Sequence, residues 1–220
     1  MKNLHVTLGS EPVDLLPERA LFWPRERTLI VADAHFGKAA SFRAAAIAVP
    51  ESAAADLARL TAALQRTGAA RLVLLGDFLH ARAGRVPAVL AAIAAWRAAH
   101  PRLETLLVRG NHDVRAGDPP AAWGIACVNA PFLLGPFVLC HDPDTPAPAY
   151  VLAGHLHPAV VLTGPGRQRE RLPCFLIGPS RAILPAFGSF TGHATVSPAA
   201  DERAYVIASE VIEVQQPGGF

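Results

Sequence analysis

Seven side chains, spread over five points of the sequence, have the chemistry of a metal centre. They are Asp33 and His35, Asp77, Asn111, His141, and His155 with His157. Two carboxylates, one amide and four imidazoles suit Mn²⁺, Fe or Zn²⁺, and the lack of thiolates argues against a structural zinc. Seven donors are too many for one catalytic ion that keeps an open position. They suffice for two ions about 3.5–4 Å apart if one carboxylate is shared. Asp77, central in order and alone on its loop, is the natural bridge. The spacing of Asp33 with His35, and of His155 with His157, predicts that each pair projects from one side of an extended backbone and grips one ion.

Each of these groups follows an apolar run. Thr28–Ala32 ends at Asp33-Ala34-His35, and Leu72–Leu75 stops at Gly76-Asp77. Leu103–Val108 leads to Gly110-Asn111-His112-Asp113, Phe137–Cys140 to His141, and Tyr150–Ala153 to Gly154-His155-Leu156-His157. Runs without polar alternation read as strands buried on both faces, and ligands bind where such strands end. Taken singly, each ending has a structural reading: an Asp as cap or turn residue, Gly-Asn as a tight turn, histidines facing solvent. Five in succession are not coincidence. Between the first three runs lie amphipathic helices. A short one is expected over Lys38–Ala46. A second is expected over Ser52–Arg66, with Leu57, Leu60 and Leu64 on one face and Gly68 as its stop. A third is expected over Val86–Ala99, with Val89, Ile93 and Trp96 inward. The first half therefore reads β-α-β-α-β, a parallel helix-covered sheet. From Ile125 to Val214 the chain offers short strands punctuated by Gly and Pro, among them Ala159–Thr163, Cys174–Ile177 and Tyr205–Ile207, and no helix. With no linker, repeat or low-complexity tract, residues 1–220 are expected to form one domain.

Bulk properties exclude several classes. The chain of 220 residues is 51% hydrophobic and 17% charged, which is globular rather than disordered composition. No apolar run approaches the ~20 residues of a membrane span, and no signal peptide is recognisable, so a membrane partner is not expected. Cys127, Cys140 and Cys174 are scattered and odd in number, which suggests reduced thiols and a cytoplasmic protein. A net charge of +2 does not by itself imply nucleic-acid binding. Nearly all the cations are arginine, Lys2 and Lys38 excepted.

Asp33-x-His35, Gly76-Asp77, Gly110-Asn111-His112-Asp113, His141 and Gly154-His155-x-His157 together resemble the signature of the calcineurin-like metallophosphoesterases. The resemblance implies an α/β fold, a four-layer α/β/β/α sandwich with a dinuclear site between two central sheets. It assigns Asp33, His35, Asp77 and His157 to a first metal, and Asp77, Asn111, His141 and His155 to a second. It makes His112 the residue that protonates the leaving oxygen or stabilises phosphoryl charge, with Asp113 orienting His112 or capping the next turn. Leu15–Ala20, Asp33–Lys38 with Phe42-Arg43, and Leu184–Gly192 further resemble the bacterial ligase-associated DNA damage response endonucleases. That group is encoded beside a DNA ligase, a helicase and an exonuclease.

The expectation is a two-metal phosphodiesterase, with Mn²⁺ foremost and Fe or Zn²⁺ as alternatives, acting on DNA in repair. Lys38, Arg43, His80 and Arg115, near the motif loops, are weaker candidates for substrate contact; His80 reads equally as a packing residue behind the ligands. Two other readings are a diesterase or pyrophosphatase acting on a small nucleotide or nucleotide sugar, and a scaffold that kept the fold without catalysis. Relatives of the former kind usually carry Arg for the His of Gly-Asn-His, and scaffolds lose ligands, whereas this chain keeps all of them.

Overall fold

A computed structural model describes residues 2–49, 52–164, 166 and 168–214. The chain opens with an antiparallel meander, β1 (Leu4–Leu8), β2 (Glu11–Leu16), β3 (Ala20–Trp23) and β4 (Thr28–Ala32). From β4 the pairing turns parallel. Helices α1 (Lys38–Ala44) and α2 (Ala53–Thr67) lead to β5 (Arg71–Leu75), α3 (Pro87–Ala99) to β6 (Glu104–Val108), and the short α4 (Asn111–Ala116) to β7 (Ile125–Val128). The seven strands lie in sequence order in one sheet.

The second sheet is built from β8 (Phe132–Leu134), β9 (Phe137–Leu139), β10 (Tyr150–Ala153), β11 (Pro158–Thr163), β12 (Arg169–Ile177) and β13 (Arg181–Ile183), joined by β14 (Ala194–Thr195), β15 (Arg203–Ile207) and β16 (Val211–Val214). Its centre, β9-β10-β13, is parallel. Of the strands from β13 onward, Tyr205–Ile207 is legible within β15, while β13, β14 and β16 need partners to be visible. Arg181–Ile183 is too short to carry a period, and β12 begins in the polar run Arg169-Glu170-Arg171. The basic run Arg167, Arg169 and Arg171 reads in the sequence as a solvated hairpin, and β11 and β12 pair antiparallel there; Arg167 itself lies outside the described residues.

Alternation along the central strands divides two cores. Leu29, Val31, Leu72, Leu74 and Leu107 face the helices, where Leu57, Leu60, Leu64, Val89, Ile93 and Trp96 meet them. Ile30, Ala32, Val73, Leu75 and Val108 face the second sheet and pack on Phe137, Leu139, Leu152, Phe175 and Leu184. Burial on both faces is why these runs show no polar alternation. The far side of the second sheet is covered, among the described residues, by loop and strand rather than helix: Ala147 and Ala149 over Val138 and Val151, and Val160 and Val196 over Cys174 and Val206. Strands β4, β5, β6, β9 and β10 all terminate at one end of this sandwich, and there the seven donors collect.

Candidate metal centre

The donors are graded in depth. The Asp33 side chain is fully buried, those of Asp77, His35 and His141 nearly so, and that of His157 is 15% exposed. Asn111 and His155 lie at the exposed rim. Around Asp33, His35 Nε2 and His157 Nε2 stand 3.3 Å apart, and His157 Nε2 is 3.5 Å from Asp33 Oδ1. Around His141, its Nε2 is 3.0 Å from Asn111 Oδ1, 3.0 Å from His155 Nδ1 and 3.4 Å from Asp77 Oδ2. Asp77 Oδ2 is also 3.7 Å from His35 Nε2, so this one oxygen lies between the two sets.

The paired spacings do bring both members of each pair together, but not through extended backbone. Asp33, His35, Asp77, His155 and His157 all have φ between 47° and 69°, the left-handed region. In an ordinary strand, residues two apart would share one face through extended backbone. Here the chain instead coils past the strand end, and hydrogen bonds hold the coil: His35 N–H to Asp77 O (2.8 Å), Asp33 N–H to Gly76 O (3.3 Å) and His155 N–H to Asp33 Oδ2 (2.8 Å). Non-glycine residues seldom adopt this region, and they cluster at functional sites when they do.

The glycines beside the ligands make room for the ligands themselves. A Cβ on Gly76 would lie 2.2 Å from His141 Nδ1, one on Gly110 2.3 Å from Asp77 Oδ1, and one on Gly154 2.5 Å from Asp33 Oδ2. Their role is close packing, not an open cleft. The opening comes from the exposed rim.

Backbone carbonyls fix the tautomers. His141 Nδ1 is 3.2 Å from Leu75 O, His157 Nδ1 2.9 Å from Gly192 O, and His112 Nδ1 2.6 Å from His80 O. With each Nδ1–H so engaged, each Nε2 turns its lone pair toward the centre. His35 Nδ1 meets His80 Nδ1 at 3.2 Å, and the His80 ring stacks on that of His112 with centroids 4.6 Å apart. His80 thus touches both His35 and His112. Asp113 does not hold the ring of His112. Its oxygens accept the N–H groups of Gly110 (2.9 Å) and Leu79 (3.2 Å), tying two site loops together.

Burial dominates the electrostatics. It pushes His35 down to about 2, helped by His157, Lys38, His112 and His80, and His80 down to about 4, helped by His112 and Lys38. Burial raises Asp77 against the opposing pull of His141, and raises Asp113 to about 6. For His157 burial lowers the value, but the bond to and charge of Asp33 outweigh it, and the net shift is upward. Lys38, half-buried at the start of α1, is lowered by burial and partly restored by Asp77. Arg43 lies exposed in the last turn of α1 and donates to Val49 O (3.3 Å); Arg115 is exposed on α4.

These donors fit divalent ions. Asp33 Oδ1 is buried with nothing closer than His157 Nε2 at 3.5 Å to satisfy it, and the Nε2 atoms of His35 and His157 face one another across 3.3 Å. Unpaired buried acceptors that converge in this way are costly unless a cation lies among them. Among the described residues, Asp33-His35-His157 and Asp33-Asp77-His141 each have ligand atoms close enough to share an ion, as does His35-His80-His112.

Comparison with solved structures decides the family. The crystal structure of Pseudomonas putida nuclease MPE covers 97% of this chain and 100% of its own, at 43% identity and a TM-score of 0.86. The chain belongs to the calcineurin-like metallophosphoesterases. A phosphoesterase from E. coli, YfcE, matches at 17% identity over 82% of this chain and 87% of that one, with a TM-score of 0.38, a likeness too slight to add weight. No family model matches the chain, and no curated protein does. This metallophosphoesterase is accordingly a phosphoesterase enzyme, with buried His and Asp side chains close enough together to hold divalent metal. No helix among the described residues is long and apolar enough to cross a membrane.

Sequence reasoning missed what holds the ligands from behind. The Leu184–Gly192 motif becomes a loop braced against the site: Phe187 N–H donates to Ala32 O (2.7 Å), Gly188 N–H to Asp33 O (3.1 Å), and Gly192 O accepts from His157. Buried Asp56 on α2 accepts Ser189 N–H (3.2 Å) and pairs with Arg59 (2.8 Å); Arg59 also donates to Phe187 O and lies over the Phe187 ring. The signal was an aspartate beside Leu57 on the inner stripe of an amphipathic helix.

Proposed function

We propose that this protein is a dinuclear, Mn²⁺-dependent phosphodiesterase that cleaves DNA endonucleolytically in repair. The observation that carries the reading is the meeting of two donor sets at Asp77 Oδ2, 3.4 Å from His141 Nε2 and 3.7 Å from His35 Nε2. Asp33, His35, Asp77 and His157 hold one ion, and Asp77, Asn111, His141 and His155 the other. When bound, the ions lower the pKa of water and neutralise charge on the phosphoryl oxygens. The full-length likeness to a nuclease supports nucleic acid as the substrate. The resemblance to ligase-associated endonucleases supports a place beside a ligase, a helicase and an exonuclease. Three unpaired thiols support a cytoplasmic setting.

The chain's own part in the chemistry centres on His112. Its Nδ1–H is committed to the His80 carbonyl, and its Nε2 stands 3.9 Å from Asp77 Oδ2 toward the open rim. To donate a proton from Nε2 with Nδ1–H so held, the ring must begin as imidazolium. After transfer it is left as the Nδ1–H tautomer, the one that His80 O stabilises. Lys38 supplies positive charge close to the phosphate, with Arg43, His80 and Arg115 as outlying contacts.

The test compares kcat/KM for bis-nitrophenyl phosphate and its monoester with Mn²⁺, alongside conversion of supercoiled plasmid to open circle. A preference for the diester with nicking, both absent in Asp77→Asn, is expected. Preference for the monoester would overturn the diesterase assignment. Diesterase activity that leaves plasmid intact would favour a small nucleotide substrate.

A further inference from the structure

Helix α4 divides the approach to the metals into two chemically different flanks. Its six residues fall into three stripes with i,i+3 spacing. Asp113 and Ala116 are buried. His112 and Arg115 share a second stripe. Asn111 and Val114 share the third and line a groove of about 320 Å³ with Asn129, Ala130 and Thr145.

The flank on the His112 side is uniformly basic. It is formed by α1 and the 3-10 turn Arg82–Gly84, which are laced together by His80 N–H to Phe36 O (3.0 Å) and by backbone so close that a Cβ on Gly37 would lie 2.4 Å from Gly84 O. Arg82 Nε donates to Arg115 O (3.2 Å), which draws Arg82 to the same stripe as Arg115. Lys38 and Arg43 stand on the other side of this seam, and residues 36–46 and 78–86 contain no acidic side chain.

The groove flank differs. Among the described residues that line it, the cation is Arg109, engaged by both oxygens of Asp118 (2.8 and 2.7 Å) and by Asn129 Oδ1 (3.0 Å). Asp142 lines the same groove, and Val114 is 73% exposed at its mouth. Beside the ligands His141 and His155, which also line it, this flank offers amides and apolar surface, suited to an uncharged nucleoside next to the metals rather than to a further phosphate.

We propose that a nucleic-acid strand crosses the site over α4, with its phosphates along Lys38, Arg82 and Arg115 and one nucleoside in the groove between Asn111 and Val114. The proposal deepens the diesterase reading and rests on it. Because His112 lies on the basic stripe, the strand that departs with the leaving oxygen is the one held by the arginines.

The test measures the ratio of oligonucleotide cleavage to bis-nitrophenyl phosphate hydrolysis, since the small diester reaches no further than the metals. Arg82→Glu should lower this ratio at least about tenfold and reduce the log–log salt slope by about one, as expected for a lost phosphate contact. Val114→Glu, on the other flank, should lower the ratio without reducing the slope. Arg203→Glu changes net charge equally at a distant surface ion pair with Glu213 and should leave the ratio unaltered. An Arg82→Glu ratio equal to wild type, or an equal fall in Arg203→Glu, overturns the strand path. Absence of bis-nitrophenyl phosphate hydrolysis in the wild-type protein would instead overturn the diesterase reading beneath it.

Discussion

Gly76→Ala tests whether the glycines at the strand ends serve the ligands. The added methyl would lie 2.2 Å from His141 Nδ1 and 2.5 Å from its Cγ, where tight contact begins near 3.4 Å. The ring must therefore withdraw by about 1.2 Å, several times the ~0.2 Å tolerance of a metal–ligand distance. Withdrawal also breaks the Nδ1–H bond to Leu75 O and moves Nε2 away from Asn111, His155 and Asp77. The set around His141 should lose its ion, with affinity down by at least the ~10–100-fold seen for disturbed ligand support. The set around Asp33 should keep its own. The backbone adds a separate effect, because φ of 74° costs alanine roughly 1–2 kcal/mol, or about 2–8 °C in Tm for a chain of this size. Gly124→Ala isolates that term: φ is 61°, and nothing lies within 4 Å of the new methyl. Metal titration by calorimetry, with thermal melts in chelator, separates the two. Both variants should melt lower, and only Gly76→Ala should bind one ion. Two ions bound at wild-type affinity in Gly76→Ala would refute the reasoning.

Other expectations follow from single contacts. His112→Ala should keep both ions yet lose roughly 10²–10⁴-fold in rate, and lose less when the leaving group is nitrophenolate; an equal loss on activated and unactivated diesters removes the proton-donor role. Asp113, raised to about 6 in the fold, binds its proton more tightly folded than unfolded. It therefore contributes stability at low pH that is lost as pH rises through about 6, on the order of 3 kcal/mol. In metal-free protein, Asp113→Asn should gain stability relative to wild type between pH 4 and 7 by urea titration, and a pH-independent difference would contradict this. Asp56→Asn should weaken the ion at Asp33 and His157 more than the ion at His141, with a stability loss of about 1–3 kcal/mol; a melting-temperature loss with both affinities intact would make Asp56 merely structural.

Much of this molecule was legible because strands buried on both faces are written as unbroken apolar runs, and their ends are abrupt. Thr28–Ala32 and Leu72–Leu75 emerge as strands with the bounds expected, give or take one residue, and the helices over α2 and α3 follow from their leucine and Ile93-Trp96 stripes. The convergence of the five loops could be inferred from donor residues that each follow an apolar run, together with the family resemblance. Their backbone could not, since the left-handed angles of Asp33, His35, Asp77, His155 and His157 depend on hydrogen bonds between strand ends distant in sequence. The glycines had the same difficulty: Gly76, Gly110 and Gly154 signal turns in a sequence, whereas their crowding against His141, Asp77 and Asp33 exists only once two sheets have met. The brace from Asp56 to Ser189 joins residues 133 apart in the chain, and its one local sign is an aspartate on the inner stripe of α2.

The left-handed ligands carry a consequence for how such a protein changes over generations. Asp33, His35, Asp77, His155 and His157 sit where a glycine would be relaxed, each at a cost of ~1–2 kcal/mol, against a total stability of about 5–15 kcal/mol for a folded domain. A descendant freed from catalysis would relieve this strain by exchanging His155 or His157 for glycine, whereas Asp33 and Asp77 also accept the N–H groups of His155 and His112 (2.8 and 2.9 Å). Selection for folding alone would therefore act on the two rim histidines before it touches the core. Five non-glycine residues in a backbone that favours glycine are what a site kept for chemistry would show. An inactive relative of the same fold should show its history as glycines at the strand ends and a higher melting temperature than this chain has without metal.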